Sequence, residues 1–350
     1  MTADDLAAVL TEFVAVESTP EAGPKAILER AASEVRGLGL TAKVDRKLGT
    51  LIASHRRGGV LFNGHLDTVP FGGNWTVGHG TRKGDRLYGR GTADMKAGCV
   101  AALFAARTLL ESDTPFSFLF TTDEETTMTA AKALAASAIV RDAAAIVVGE
   151  PSNLGVFTSE KGVYWFDAIA TGKGAHGSLP HLGDNAILKM RPLLDAAAAF
   201  ARPRRPLEDL TINVGKMYGG TKTNVVADAC CVELDVRYPP SMRPPQVVAL
   251  LRKLAGRDLR LVERHHVPAA AVDPKSKHVT TLRRIAGSDS GKVTYATEMA
   301  FYAQHNPRTA ICGPGDPARI HVPDESVELS EVRRAADIYA RYATAMAPSE

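Results

Sequence analysis

The sequence predicts an α/β protein built on a mainly parallel sheet, with a smaller α+β unit inserted into it. Three observations lead there. Val60-Leu61-Phe62-Asn63, Phe116 to Phe120, Ala145-Ile146-Val147-Val148 and Thr309-Ala310-Ile311-Cys312 are short unbroken apolar runs, the pattern of strands buried on both faces. Helical patterns separate these runs, and such alternation argues for parallel crossovers. After Lys161 the texture changes to a β-α-β-β-α-β order, which suits helices packed on one face of an antiparallel sheet. The expected domains are 1–160 with 272–350, and 161–271 inserted between them. A length of 350 residues also favours two domains over one core.

Each element has its own signal. Thr2 and Asp5 make a capping-box start, and Leu6, Val9, Leu10, Phe13 and Val14 follow at helical spacing. Strands and the His65 turn come next, then a helix from about Lys96 to Glu111, the 116–121 strand, a helix through Ala130 to Ala136 and the 143–149 strand. In the inserted part, Val163 to Ile169 reads as a strand and a helical pattern runs to about Ala201. Thr211 to Met217 and Cys230 to Tyr238 read as strands joined through Gly219-Gly220. A helix over Pro245 to Leu254 and a strand near Leu259 to Glu263 complete the unit. Alternation then resumes and carries His321 back to the first domain. The Arg-Pro-Arg-Arg-Pro stretch at 202–206 reads as an exposed turn.

Composition narrows the function class. With 45% hydrophobic and 23% charged residues and a formal charge of +3, the chain has no electrostatic signature of a nucleic-acid or anionic-membrane binder. No apolar run approaches the roughly 20 residues that span a bilayer. The amino terminus reads as an amphipathic helix and not as a signal peptide, so the expected compartment is the cytoplasm. Cys99, Cys230, Cys231 and Cys312 contain no CxxC pair and read as free thiols, without disulfides or thiolate-bound zinc.

The chemistry-bearing residues lie just past the apolar runs. These are His65 and Asp67, the Asp123-Glu124-Glu125 run, Glu150 and His321, with Asp94 opening the helix after Gly89-Arg90-Gly91. Taken singly, each has a bland reading. His65 can be an ordinary turn histidine, Asp94 a helix cap, and the 123–125 run a solvated turn. Only Glu150, a carboxylate ending an apolar strand, calls for a partner. Ligands gather beyond the carboxyl ends of parallel strands, and all these residues fall at that edge. Two imidazoles among so many carboxylates make an N/O donor set suited to divalent metal, and hence to a metal-dependent hydrolase. Asp67 can then orient His65 through the second ring nitrogen. Gly89-Arg90-Gly91-Thr92 lacks the spacing of a nucleotide-binding loop.

Five segments resemble the M20 family of di-zinc amidohydrolases and peptidases, whose members include acetylornithine deacetylase, succinyl-diaminopimelate desuccinylase and carboxypeptidase G. They are residues 63–70 (Asn-Gly-His-Leu-Asp-Thr-Val-Pro), 87–96 (Leu-Tyr-Gly-Arg-Gly-Thr-Ala-Asp-Met-Lys), 121–126 (Thr-Thr-Asp-Glu-Glu-Thr), 149–152 (Gly-Glu-Pro-Ser) and 321–325 (His-Val-Pro-Asp-Glu). They run through nearly the whole chain in family order. The resemblance implies two divalent ions, Zn²⁺ or alternatively Co²⁺. Asp94 would bridge them, with His65 and Glu150 completing one site and Glu125 and His321 the other. It implies Glu124 as general base and a cis peptide after Asp94; Asp67, through its support of His65, is counted with the catalytic residues. The inserted unit corresponds to the family's lid and dimerisation domain. His176 would reach a partner subunit's site to stabilise the oxyanion, while Asn224 and Arg237 would bind the substrate backbone or carboxylate. For Arg237 the alternative is an ion pair on a strand face.

The substrate signals are mixed. Thr297-Glu298, the stretch from Ala229 to Arg237 and Asp123 to Met128 resemble acetylornithine deacetylase, whereas Pro180 to Asn185 is closer to the desuccinylase loop. The chain is shorter than typical deacetylases, which brings hydrolases releasing lysine or ornithine from a carrier protein into view. Glu298 could pair with a substrate ammonium, which would favour a diamino acid, or as easily orient a neighbouring loop. The expectation is N-acyl amino acid deacylation, acetylornithine-like, by a homodimer. A dipeptidase or carboxypeptidase with the same metals is the second reading, and a metal-free binding member of the fold a remote third.

Overall fold

The computed structural model describes residues 3–348. The chain divides into two compact units, one formed by Met1–Thr158, Val272–Gly291 and Thr297–Glu350, the other by Ser159–Ala271 and Lys292–Ala296.

In the first unit, strand Val60–His65 pairs in parallel with Phe116–Thr121 on one side and with Ala145–Pro151 on the other. Thr309–Gly313 joins Ala145–Pro151, also in parallel. Every residue of these four strands is buried, which is why they read as unbroken apolar runs. Thr50–His55 then extends the sheet antiparallel to Phe116–Thr121. Parallel pairing aligns the carboxyl ends of the four strands, so His65, the 123–125 turn and Glu150 share one edge.

Helices Ala97–Glu111 and Leu329–Met346 pack against each other. The amino-terminal helix, Ala3–Ala15, buries Leu6, Leu10, Phe13 and Val14. Thr2, expected to cap it, lies outside the described residues. The helix expected through Ala130 to Ala136 is Thr129–Leu134, and a second short helix, Ala138–Arg141, follows it. Helix Ala97–Glu111 sits very close to the sheet. A Cβ added to Gly98 would lie 2.2 Å from the Gly149 carbonyl oxygen, and one added to Gly313 would lie 2.1 Å from the same atom.

The second unit is a four-stranded antiparallel sheet in the order Thr211–Gly219, Ala229–Tyr238, Gly162–Thr171, Leu259–Val267. Its core joins Phe166, Ala168, Val232 and Leu234 to Leu193 and Ala197 of helix Arg191–Phe200, and to Val247 and Leu251 of helix Pro244–Ala255. The outward positions stay partly exposed, the alternation expected of a sheet covered on one face. The architecture is thus the α/β sheet plus α+β unit that the sequence predicts. Among the described residues no helix is long and apolar enough to cross a membrane.

Candidate metal centre

The strand ends bring the site together. His65 closes strand Val60–His65 and is buried. Its Nε2 lies 3.1 Å from Asp94 Oδ1 and 3.8 Å from Glu150 Oε1. The other Asp94 oxygen, Oδ2, lies 3.1 Å from His321 Nε2, which is also 3.0 Å from Glu125 Oε1. One carboxylate therefore stands between two imidazoles and offers an oxygen to each. The ligand atoms of His65, Glu124 and Glu150 lie within 4.8 Å of one another, and so do those of His65, Asp94 and Glu125.

Asp94 is not a helix cap. It sits in the turn Thr92–Lys96 with non-helical backbone, and the helix starts only at Ala97. The Asp94–Met95 peptide is cis. Asp123 does take the structural role: its carboxylate accepts from the Thr127 hydroxyl and from the backbone N–H groups of Thr129 and Ala130. That hydrogen bonding fastens the turn, and Glu124 and Glu125 are half-buried beside it.

Asp67 supports the site differently from the expectation. His65 Nδ1 makes its shortest contact, 3.0 Å, with the Asp67 backbone carbonyl, and the carboxylate is 3.4 Å away. The carboxylate oxygens accept from the backbone N–H groups of Glu124 and Glu125, at 3.3 and 3.0 Å. Asp67 thus orients the imidazole mainly through its main chain and the acidic turn through its side chain.

Charge is the central property of this cluster. Burial disfavours a proton on His65, but hydrogen bonds to Asp67 and Asp94 outweigh it and hold the ring well above its ordinary pKa. Hydrogen bonds to Asp94 and Glu125 raise His321 to about 10. Burial works against ionised Asp94, yet the two imidazoles hold its carboxyl below the usual range. Burial and crowding by neighbouring carboxylates push Glu124 and Glu150 well upward, with His65 opposing, and Glu125 is raised as well. Two imidazoles do not neutralise four converging carboxylates. Divalent cations with a preference for oxygen and imidazole nitrogen would, so this donor set fits them.

The model of peptidase family M20/M25/M40 matches residues 61–345. The chain belongs to this family. It is a metal-dependent amidohydrolase. Acetylornithine deacetylase of Klebsiella pneumoniae (strain 342) is 32% identical over 353 residues, which cover 91% of this chain and 90% of that one. Among solved structures, aminopeptidase PepT of Bacillus cereus ATCC 10987 superposes with a TM-score of 0.80 at 21% identity over 99% of both chains. Bacillus subtilis YXEP, described as a dinuclear metal-binding peptidase of the M20 family, gives a TM-score of 0.73 at 13% identity over 98% of both.

The remaining sequence candidates are placed unevenly. His176 and Asn224 come together in the second unit, where residue 176 forms a bridge pair with Val225 and the Gly177 N–H donates to the Asn224 carbonyl. Arg237 is engaged by its strand neighbour: its Nε donates to Asp235 Oδ1 at 2.8 Å and its Nη2 to Oδ2 at 3.0 Å. That is the strand-face ion pair held open as the alternative.

Of the two readings of Glu298, a partner for a substrate ammonium or an orienting group, its surroundings favour the second: it is only 1% exposed and its Oε2 accepts from Asn63 Nδ2 at 2.6 Å. The carboxyl lies beneath strand Val60–His65, with Tyr302 beside the same amide, so it supports the strand that carries His65. Burial, opposed in part by the Asn63 amide, raises it to about 7. A carboxyl raised on folding contributes stability that is complete below its unfolded pKa, about 4.3, and is lost as pH climbs through the folded value. In metal-free protein, Glu298→Gln should therefore flatten the fall of Tm between about pH 4.5 and 7. A variant whose Tm falls as steeply as wild type over that range would refute the assignment.

Several buried residues of the matching segments, none of them with a role expected from sequence, also shape the site. Lys96 is buried, donates to the Val16 carbonyl at 2.9 Å and is lowered by burial to about 8. Asn63, Arg90 and Glu325 are likewise buried. Their signal was membership in the matching segments, without any hint of partner.

Proposed function

We propose that the protein removes the acyl group of an N-acyl amino acid, in an acetylornithine-like deacetylation in the cytoplasm. The observation that carries the hydrolytic site is the Asp94 carboxylate set between His65 and His321, with Glu124 at its edge. The deacetylase relative at 32% identity supports the substrate class.

In this reading His65, Asp94 and Glu150 hold one divalent ion, and Asp94, Glu125 and His321 the other, with Zn²⁺ the expected metal and Co²⁺ the alternative. Two such ions, when bound, acidify water and polarise the scissile carbonyl. Glu124 takes the proton of the attacking water and returns it to the leaving nitrogen. Asp67 keeps Glu124 in place through the backbone amide.

His176 acts as the oxyanion donor. Its Nδ1 lies 2.8 Å from the Ser178 hydroxyl and 3.2 Å from the Ser178 N–H; with Nδ1 as the acceptor of both, Nε2 carries the proton, and the side chain is exposed. A donor aimed where charge develops is what such a role needs. We place it in the partner subunit's active site. Leu179, Leu182, Ile187, Leu188, Tyr218 and Val225 are exposed apolar residues of the second unit, Val225 directly opposite His176, and we take them as the surface of a homodimer. Asn224 beside His176 binds the substrate backbone, and Arg237 its carboxylate once released from Asp235.

Peptide-bond cleavage by the same groups is the second reading, favoured by the similarity to PepT. A panel of N-acetyl, N-succinyl and dipeptide amides, metal-loaded, decides between them. N-acetylornithine should give the highest kcat/KM, and preference for a dipeptide would overturn the deacetylase reading. Mixing His176→Ala with Glu124→Gln subunits should restore activity above either parent, since one site of the heterodimer carries neither defect. Proven exchange without recovery would place His176 outside the partner's site.

A further inference from the structure

We propose that Glu325 is a positioning residue that, together with Arg90, sets Asp94 and His321 in register with each other. This rests on the two-ion reading above. Strand Ser326–Glu328 pairs antiparallel with Arg86–Tyr88, and the Gly89 N–H donates to the Glu325 carbonyl at 2.8 Å. The two ligand-bearing segments therefore run side by side, and the Glu325 side chain, 0% exposed, lies between them. Its Oε1 accepts from the backbone N–H groups of Ala93 and Asp94, at 3.0 and 3.1 Å. Its Oε2 accepts from Arg90 Nη1 at 2.6 Å.

Arg90 is itself locked. Its Nη2 donates to the Phe71 carbonyl at 3.3 Å, its guanidinium lies 5.4 Å from the Trp75 ring centroid, and its N–H donates to His79 Nδ1 at 3.0 Å. His79 Nε2 in turn donates to the Val14 carbonyl. One residue earlier, the Asp324 carboxylate accepts from the N–H groups of Thr76 and Val77. The segment that follows His321 is thus pinned at two successive residues, while His321 itself holds a left-handed backbone, φ 58°, that a non-glycine residue keeps only when its surroundings impose it.

The chemistry explains why a carboxylate is needed. An apolar residue at 325 would leave the Ala93 and Asp94 amides without their acceptor and the buried Arg90 charge without its carboxylate. A carboxylate satisfies all three, and in doing so ties the backbone of one ligand to the segment of another. Groups that orient ligands in this way typically cost 10–100-fold in metal affinity when changed.

The test is competitive titration of Zn²⁺ against a chromogenic chelator, on full-length wild type and Glu325→Gln. Gln keeps an acceptor for the two amides but turns an NH₂ toward Arg90. The expected result is two ions bound by wild type, with the weaker of the two held about 10–100-fold less tightly by the variant, and a fall in kcat with little change in KM. Wild type that binds no ion would sink the two-ion reading itself. Two ions in both proteins with matching constants would overturn the role of Glu325. If the variant does not fold, hydrogen exchange in metal-free wild type decides. The Ala93 and Asp94 amides should exchange slowly, and exchange at the rate of an open chain would overturn the proposal.

Discussion

Replacing Glu124 with Gln should lower kcat by about 10²–10⁴-fold while both ions stay bound. Gln preserves shape and the backbone N–H that Asp67 accepts, and removes only the basic oxygen. The competing outcome is specific, because the Glu124 ligand atom also falls within 4.8 Å of those of His65 and Glu150. A variant that loses an ion yet keeps its activity per ion bound would make Glu124 a ligand. Metal content and kcat measured on the same samples separate the two roles. KM should change little, since the lost interaction belongs to the transition state.

Removing the metals should have a larger effect still. After exhaustive chelation, hydrolysis should fall to background, and adding Zn²⁺ or Co²⁺ should restore it. The reason lies in the charge balance: Asp94, Glu124, Glu125 and Glu150 converge on two imidazoles, and the polarisation of the carbonyl that bound ions would supply goes with them. Full activity in protein shown to be metal-free would exclude the reading.

What could be read from the sequence, and what could not, divides along physical lines. The strands Val60–His65, Phe116–Thr121 and Ala145–Pro151 were legible because burial on both faces leaves an unbroken apolar run. Parallel pairing then sends their ends to one edge, so the sequence alone groups His65, Glu125 and Glu150. Side-chain partners far apart in sequence were not legible. Nothing in the sequence points Glu298 to Asn63, 235 positions away, whose amide it accepts from while buried. Glu325 and Arg90 are equally distant. The division of labour within Asp67, main chain to His65 and carboxylate to the acidic turn, depends on atomic positions that residue type does not encode.

The contact of Gly98, Gly149 and Gly313 around one carbonyl oxygen has a bearing on how such a protein can change over time. The spacing between the segment carrying Asp94 and the one carrying Glu150 is set there by the radii of main-chain atoms and not by the fit of interchangeable side chains. Substitutions elsewhere in the hydrophobic interior can accumulate and compensate one another without reaching it. The gauge of the reaction chamber is thereby insulated from the drift of the core around it.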